Sequence, residues 1–135
     1  MVLLIDDSRI DLKVNRTILE KGGVEAPILT FDLPEQGLDW ILDHRSKLPN
    51  LLVLLDINMP LINGFQLIDT IQRHDPHLLD HVMLYLLTSS NDSEDYIKAS
   101  QYTCIKGLIQ KPLNLEKLKK LMHTHAKPQH NPFIG

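Results

Sequence analysis

One cysteine, Cys104, stands in the whole 135-residue sequence, so no internal disulfide can form and packing alone must hold the core. That usage points to a reducing, cytoplasmic setting. Aromatic residues are scarce at 5%, with a single Trp. Positive charge is not in excess either: 14 Lys and Arg face 17 Asp and Glu, for a net charge of −3. The sequence pI of 6.1 lies far from the basic footprint, above about 9, of a typical nucleic-acid binder, so direct nucleic-acid binding is disfavoured. The longest apolar runs, such as Leu51 to Leu55, fall well short of the roughly 20 residues that span a bilayer. Asp6 arrives before a signal-peptide core could form, and no membrane insertion is expected. Internal repeats and low-complexity tracts are missing as well. The length suits one domain, which at this size buries roughly two-thirds of its unfolded surface.

What is present is a regular alternation. Val2 to Ile5, Leu51 to Leu55 and Val82 to Leu87 are unbroken apolar runs, the pattern of strands covered on both faces. Ala26 to Thr30 carries Pro27, and Ile105 to Gln110 is interrupted by Lys106 and Gly107; both read as edge strands. Between these runs lie helical stripes: Ile10, Val14, Thr17 and Ile18; Leu38, Ile41 and Leu42; Phe65, Ile68 and Ile71; and Leu115, Leu118, Leu121 and Met122. Asp92 to Gln101 is a shorter helix. Gly22-Gly23 is placed to stop the first helix, Pro34 to open the second and Asn114 to cap the last. Strand and helix alternating five times, with short connections and right-handed crossovers, predict an α/β fold with an open, doubly wound, five-stranded parallel sheet. The domain is expected over residues 1–127, followed by a tail, 128–135.

In such a sheet, ligands bind beyond the carboxyl ends of the strands. Asp6-Asp7 end the first strand, Asp56 the third, Thr88 the fourth and Lys111 the fifth, so reactive side chains converge on one edge. Three carboxylates crowded together repel one another unless a cation sits among them, and oxygen donors of this kind suit Mg²⁺. With that charge neutralised, a carboxylate can attack phosphorus. Lys111 then supplies a point charge to one phosphoryl oxygen and Thr88 a hydroxyl to another.

The segments Leu4-Ile5-Asp6-Asp7, Leu54-Leu55-Asp56-Ile57-Asn58-Met59-Pro60 with Gly64, Leu87-Thr88-Ser89-Ser90 and Gln110-Lys111-Pro112 together resemble the response-regulator receiver domains of two-component signalling. The resemblance runs from Val2 through the last helix. It implies a flavodoxin-like receiver fold with strand order 2-1-3-4-5 and phosphorylation of Asp56 by a histidine kinase, a histidine phosphotransfer protein or a small phosphodonor. It further implies that Asp7, Asp56 and the backbone carbonyl of Asn58 bind Mg²⁺ directly, that Asp6 acts through metal-bound water, and that Lys111 and Thr88 engage the phosphoryl group. Asn58 and Ser90 would flank that group and tune its lifetime, and Pro112 is expected to be cis. Output would pass to a downstream effector protein, because after the last helix only about a dozen residues remain.

The sequence departs from the family at Leu108, three positions before Lys111, where the family usually carries the aromatic residue that turns inward on activation. Tyr102 and Tyr85 are candidate substitutes. Two other functions compete: a receiver-like binding module that works without phosphorylation, which Leu108 favours, and a haloacid-dehalogenase-type phosphatase. The latter resembles Asp-x-Asp, whereas Asp56-Ile57-Asn58 offers an asparagine that cannot act as the general acid. His74, His77 and His81 read as solvated surface residues rather than metal ligands. Lys117, Lys119 and Lys120 suit the helix dipole, with partner docking as the alternative.

Overall fold

The computed structural model describes residues 1–125, so the expected tail lies outside the described residues. Strands β1 (Val2–Ile5), β2 (Ile28–Phe31), β3 (Leu52–Asp56), β4 (Met83–Thr88) and β5 (Ile105–Gln110) alternate with helices α1 (Arg9–Lys21), α2 (Pro34–Asp43), α3 (Gly64–His74), α4 (Ser93–Ser100) and α5 (Leu115–His125). All the strand pairings are parallel, in the order β2-β1-β3-β4-β5. This is the expected doubly wound sheet.

Period-two alternation divides the core. Leu3, Ile5, Val53, Leu55, Leu84, Leu86 and Leu108 join one buried cluster with Ile41 of α2, Phe65 and Ile68 of α3 and Ala99 of α4. Val2, Leu4, Leu54, Tyr85, Leu87 and Ile109 join the other, with Leu12 and Leu19 of α1 and Leu118 and Met122 of α5. A strand covered on both faces has no polar side, which is why β1, β3 and β4 read as unbroken apolar runs.

Local chemistry sets the element ends. The Ser8 side chain caps α1 by accepting from the Asp11 N–H, and α1 stops at Gly22, followed by Gly23 at φ 88°, a left-handed conformation that suits glycine. Pro34 opens α2, Asn63 and Gln66 form a reciprocal capping box on α3, and Asn114 accepts from Lys117 N at the start of α5. Pro27 lies just before β2, where its missing N–H costs the ladder nothing. Lys106 is the extra residue in β5: Leu84 pairs with Ile105 and Tyr85 with Gly107, so Lys106 is bulged out. The Lys111-Pro112 bond is cis.

The α1 stripe is a correction. Ile10 is 75% exposed and Val14 42%, while Leu12, Asn15 and Leu19 face the sheet. Both sets have helical spacing, and packing against the sheet decides which face turns inward.

Gly64 ties α3 to β3. A Cβ there would meet the Asp56 carbonyl oxygen at 2.7 Å and Ile57 Cα at 3.1 Å, backbone atoms with little room to move. Gly64→Ala is therefore expected to cost about 1–3 kcal/mol by overpacking, read as a lower urea midpoint with an unchanged slope. An unchanged midpoint would show that the loop yields freely.

Candidate functional site

Sheet register brings the chemistry together. Ile5 pairs with Leu55, so Asp6 and Asp56 follow at the same level, and Thr88 pairs with Gln110, which puts Lys111 one step beyond. The Lys111 N–H donates to the Thr88 carbonyl at 2.7 Å, fixing where that side chain begins. The structure thus gathers Asp6, Asp7, Asp56, Thr88 and Lys111 at the carboxyl edge.

Asp6 and Asp56 are almost wholly buried, while Asp7 is exposed. The Lys111 ammonium lies 2.8 Å from Asp6 Oδ2, 3.1 Å from Asp56 Oδ1 and 3.0 Å from Asp11 Oδ2. Asp56 Oδ1 also accepts from the Asn58 N–H at 3.1 Å, and Asp6 Oδ1 from the Ser8 N–H at 2.9 Å. Oxygen atoms of Asp6, Asp7 and Asp56 all fall within 4.8 Å of one another, a group that could hold a metal ion. An all-carboxylate set is the donor chemistry of a hard cation such as Mg²⁺.

Burial, and next the nearby Asp6 charge, push the Asp56 carboxyl up to about 7, against the opposing pull of Lys111 and the Asn58 N–H. Burial works against the Lys111 charge too, but its bonds to Asp6 and Asp11 and the charge of Asp56 outweigh it and hold the ammonium above its ordinary range. One cation among several acids leaves the pocket electronegative.

Thr88 is fully buried and its hydroxyl is already engaged. It donates to Asp95 Oδ2 of α4 at 3.3 Å and accepts from the Ser90 N–H at 3.1 Å. Leu108 lies in the cluster on the α4 side of the sheet. Beside it Tyr96, Ala99, Ser100, Ile105 and Gly107 line a cleft of about 240 Å³. Of the two candidate substitutes, Tyr85 packs in the opposite cluster, against α1 and α5, and cannot report to α4. Tyr102 stacks on Phe65 with ring centroids 5.6 Å apart and donates to Asp69 at 2.9 Å, tying the segment after α4 to α3.

His74, His77 and His81 are exposed, and among the described residues only the aspartate group has the proximity of a metal site. Three residues escaped the sequence reading: Asp11, Asn15 and Asp95. The Asn15 amide interrupts the Leu12 to Leu19 stripe, a legible signal once the inward face is known. Asp95 carried none, because its role depends on where α4 docks.

Residues 2–123 match the family model of the response regulator receiver domain. Among curated proteins, the chain is 33% identical over 93 residues to the "Probable cyclic di-GMP phosphodiesterase" of Vibrio cholerae, covering 69% of this chain and 20% of that protein, so it spans about a fifth of that relative's length. Among solved structures, it resembles a two component response regulator from Cytophaga hutchinsonii with a TM-score of 0.83 and 30% identity, covering 91% of this chain and 93% of that one. A response regulator receiver protein from Dyadobacter fermentans superposes with a TM-score of 0.82 at 26% identity, covering 91% and 94% of the two chains.

Proposed function

Because this chain belongs to the response regulator receiver domains, the signal-receiving modules of two-component systems, we propose that it accepts a phosphoryl group on Asp56 in a Mg²⁺-dependent reaction and signals by a change at α4. The observation that carries this reading is the convergence of Asp6 and Asp56 on the Lys111 ammonium at one strand edge.

Asp6, Asp7, Asp56 and the backbone carbonyl of Asn58 would hold Mg²⁺. Bound there, the ion supplies positive charge that offsets the acidic cluster and the phosphoryl oxygens. The Asn58 hydrogen bond and the Lys111 ion pair both fall on Asp56 Oδ1, so Oδ2 is the oxygen that attacks phosphorus. A P–O bond forms as the bond to the donor breaks, and the leaving group departs with that electron pair; the donor is a phosphohistidine or an acyl phosphate. Lys111, held as the ammonium, neutralises charge on a phosphoryl oxygen in the transition state and in the product.

Thr88 has one hydroxyl proton, and Asp95 holds it. Donation to the phosphoryl group requires Thr88 to release Asp95 in the first turn of α4. That exchange gives α4 a route to respond that does not depend on an aromatic side chain at position 108. The partners of this reading are a histidine kinase or phosphotransfer protein upstream and an effector protein downstream, and the switching unit is residues 1–127.

Intact mass after incubation with acetyl phosphate tests the proposal. One added phosphoryl group is expected with Mg²⁺ and none after EDTA. No gain under either condition would favour a binding module that works without phosphorylation.

A further inference from the structure

We propose that Asp11 and Asn15, one turn apart on α1, are positioning residues that hold the Lys111 to Leu113 segment so that the ammonium stays over Asp56. The inference rests on the phosphoacceptor reading of Asp56 and adds the device that aims its cationic partner.

Asn15 sits where the inward face of α1 would otherwise carry a third apolar residue: it is 3% exposed, between Leu12 and Leu19. A buried amide in that setting is costly unless bonded. Its Oδ1 accepts the Leu113 N–H at 3.2 Å, across 98 residues of sequence. Leu113 is itself buried, so this contact satisfies a backbone donor where water has little access. One turn earlier on the same face, Asp11 Oδ2 lies 3.0 Å from Lys111 Nζ. The acidic preference of a helix N-terminus accounts for an aspartate at position 11 but not for its contact with a lysine 100 residues later, and it does not account for Asn15 at all. Together the two contacts fix the segment after β5 at its side chain and at its backbone.

An ammonium has three donors, and here its neighbours are Asp6, Asp11 and Asp56. An arriving phosphoryl oxygen needs only the share given to Asp56. Asp11 retains its own, so Lys111 changes partner without leaving the pocket, and less side-chain freedom is lost in the reacting complex. Asp11 is partly exposed, so its tie is the adjustable one, whereas the buried Asn15 contact is fixed.

Two readouts test this. By ¹³C relaxation in the metal-free protein, Lys111 Cε should be more ordered than Cε of the exposed Lys13 and should lose much of that order in Asp11→Asn. In Asn15→Ala the Leu113 amide should exchange about tenfold faster while the global unfolding transition stays cooperative. Unchanged Lys111 order together with unchanged Leu113 exchange would overturn the proposal. With acetyl phosphate and Mg²⁺, Asp11→Asn should label about fivefold more slowly, and the same change in a Lys111→Ala background should have no effect. An equal slowing in both backgrounds would show that Asp11 does not act through Lys111. If the unaltered protein takes no phosphoryl group, the reading of Asp56 fails, and the relaxation and exchange measurements alone decide whether the segment is held.

Discussion

Asp56→Asn should take no phosphoryl group from acetyl phosphate at any Mg²⁺ concentration, and without metal it should be more stable than the unaltered protein at pH 8. The first effect follows because the amide keeps the shape of the side chain and lacks the nucleophilic carboxylate. The second follows from linkage. The folded Asp56 carboxyl is pushed up to about 7 from an ordinary 3.8, so between those values the folded state holds a proton that the unfolded chain has released. Stability therefore falls as pH rises from about 4 to about 7, and the deficit is complete above 7. Asparagine removes it, a gain on the order of 4 kcal/mol at pH 8 that vanishes below pH 4. Urea denaturation in EDTA at pH 4, 6 and 8 measures the difference. A constant offset across that range would mean that Asp56 is not the buried acid responsible, and a phosphoryl group on the variant would place the acceptor elsewhere.

Lys111→Ala is expected to move stability in the opposite direction. It leaves Asp6 and Asp56 buried on one edge without their shared cation, and orphaning a buried charge in this way costs about 3–5 kcal/mol. For a domain of this size that lowers the melting temperature by about 10–20 °C. The loss should be greatest above pH 7, where Asp56 is ionised, and should shrink as the pH falls and Asp56 takes up its proton. Added Mg²⁺ should restore much of it, because a divalent cation replaces the missing charge. Labelling in Mg²⁺ should persist but slow by about a hundredfold, the effect of removing one preorganised charge from a transition state. A variant as stable as the unaltered protein at pH 8 in EDTA would show that Lys111 is not the counter-ion of the pair.

The two substitutions make opposite claims on one pocket. Asp56 is held at the expense of stability, and Lys111 limits that expense. A site with more acid than base is under strain until a cation enters, which is why metal removal is the sensitive condition in both experiments.

The strands, their parallel pairing and the edge bearing Asp6, Asp7, Asp56, Thr88 and Lys111 were legible in the sequence, while the 2-1-3-4-5 order came from the family resemblance. A strand buried on both faces has no choice but to be apolar along its length, and a functional carboxylate at its end breaks that run visibly. Helix ends are similarly local: Asn114 accepts an N–H within a turn of itself, and Pro34 suits the first turn of α2, where an N–H would lack a helical partner. The inward face of α1 was less legible, because Ile10 and Val14 fit a helical stripe as well as Leu12 and Leu19 do, and only the docking of the helix on the sheet separates the two sets.

Other relationships exist only between elements distant in sequence. Asp11 meets Lys111 and Asn15 meets Leu113 because the 2-1-3-4-5 order wraps α1 and α5 onto the same face of the sheet. Thr88 donates its hydroxyl hydrogen bond to Asp95 because α4 docks with its first turn over the end of β4. Residue type and period determined which side chains stand at the carboxyl edge of the sheet, since burial and backbone bonding act over a few residues. The packing of helices on the sheet decided which groups hold those side chains in place, because ammonium and hydroxyl groups bond whatever acceptor the tertiary fold brings within about 3 Å.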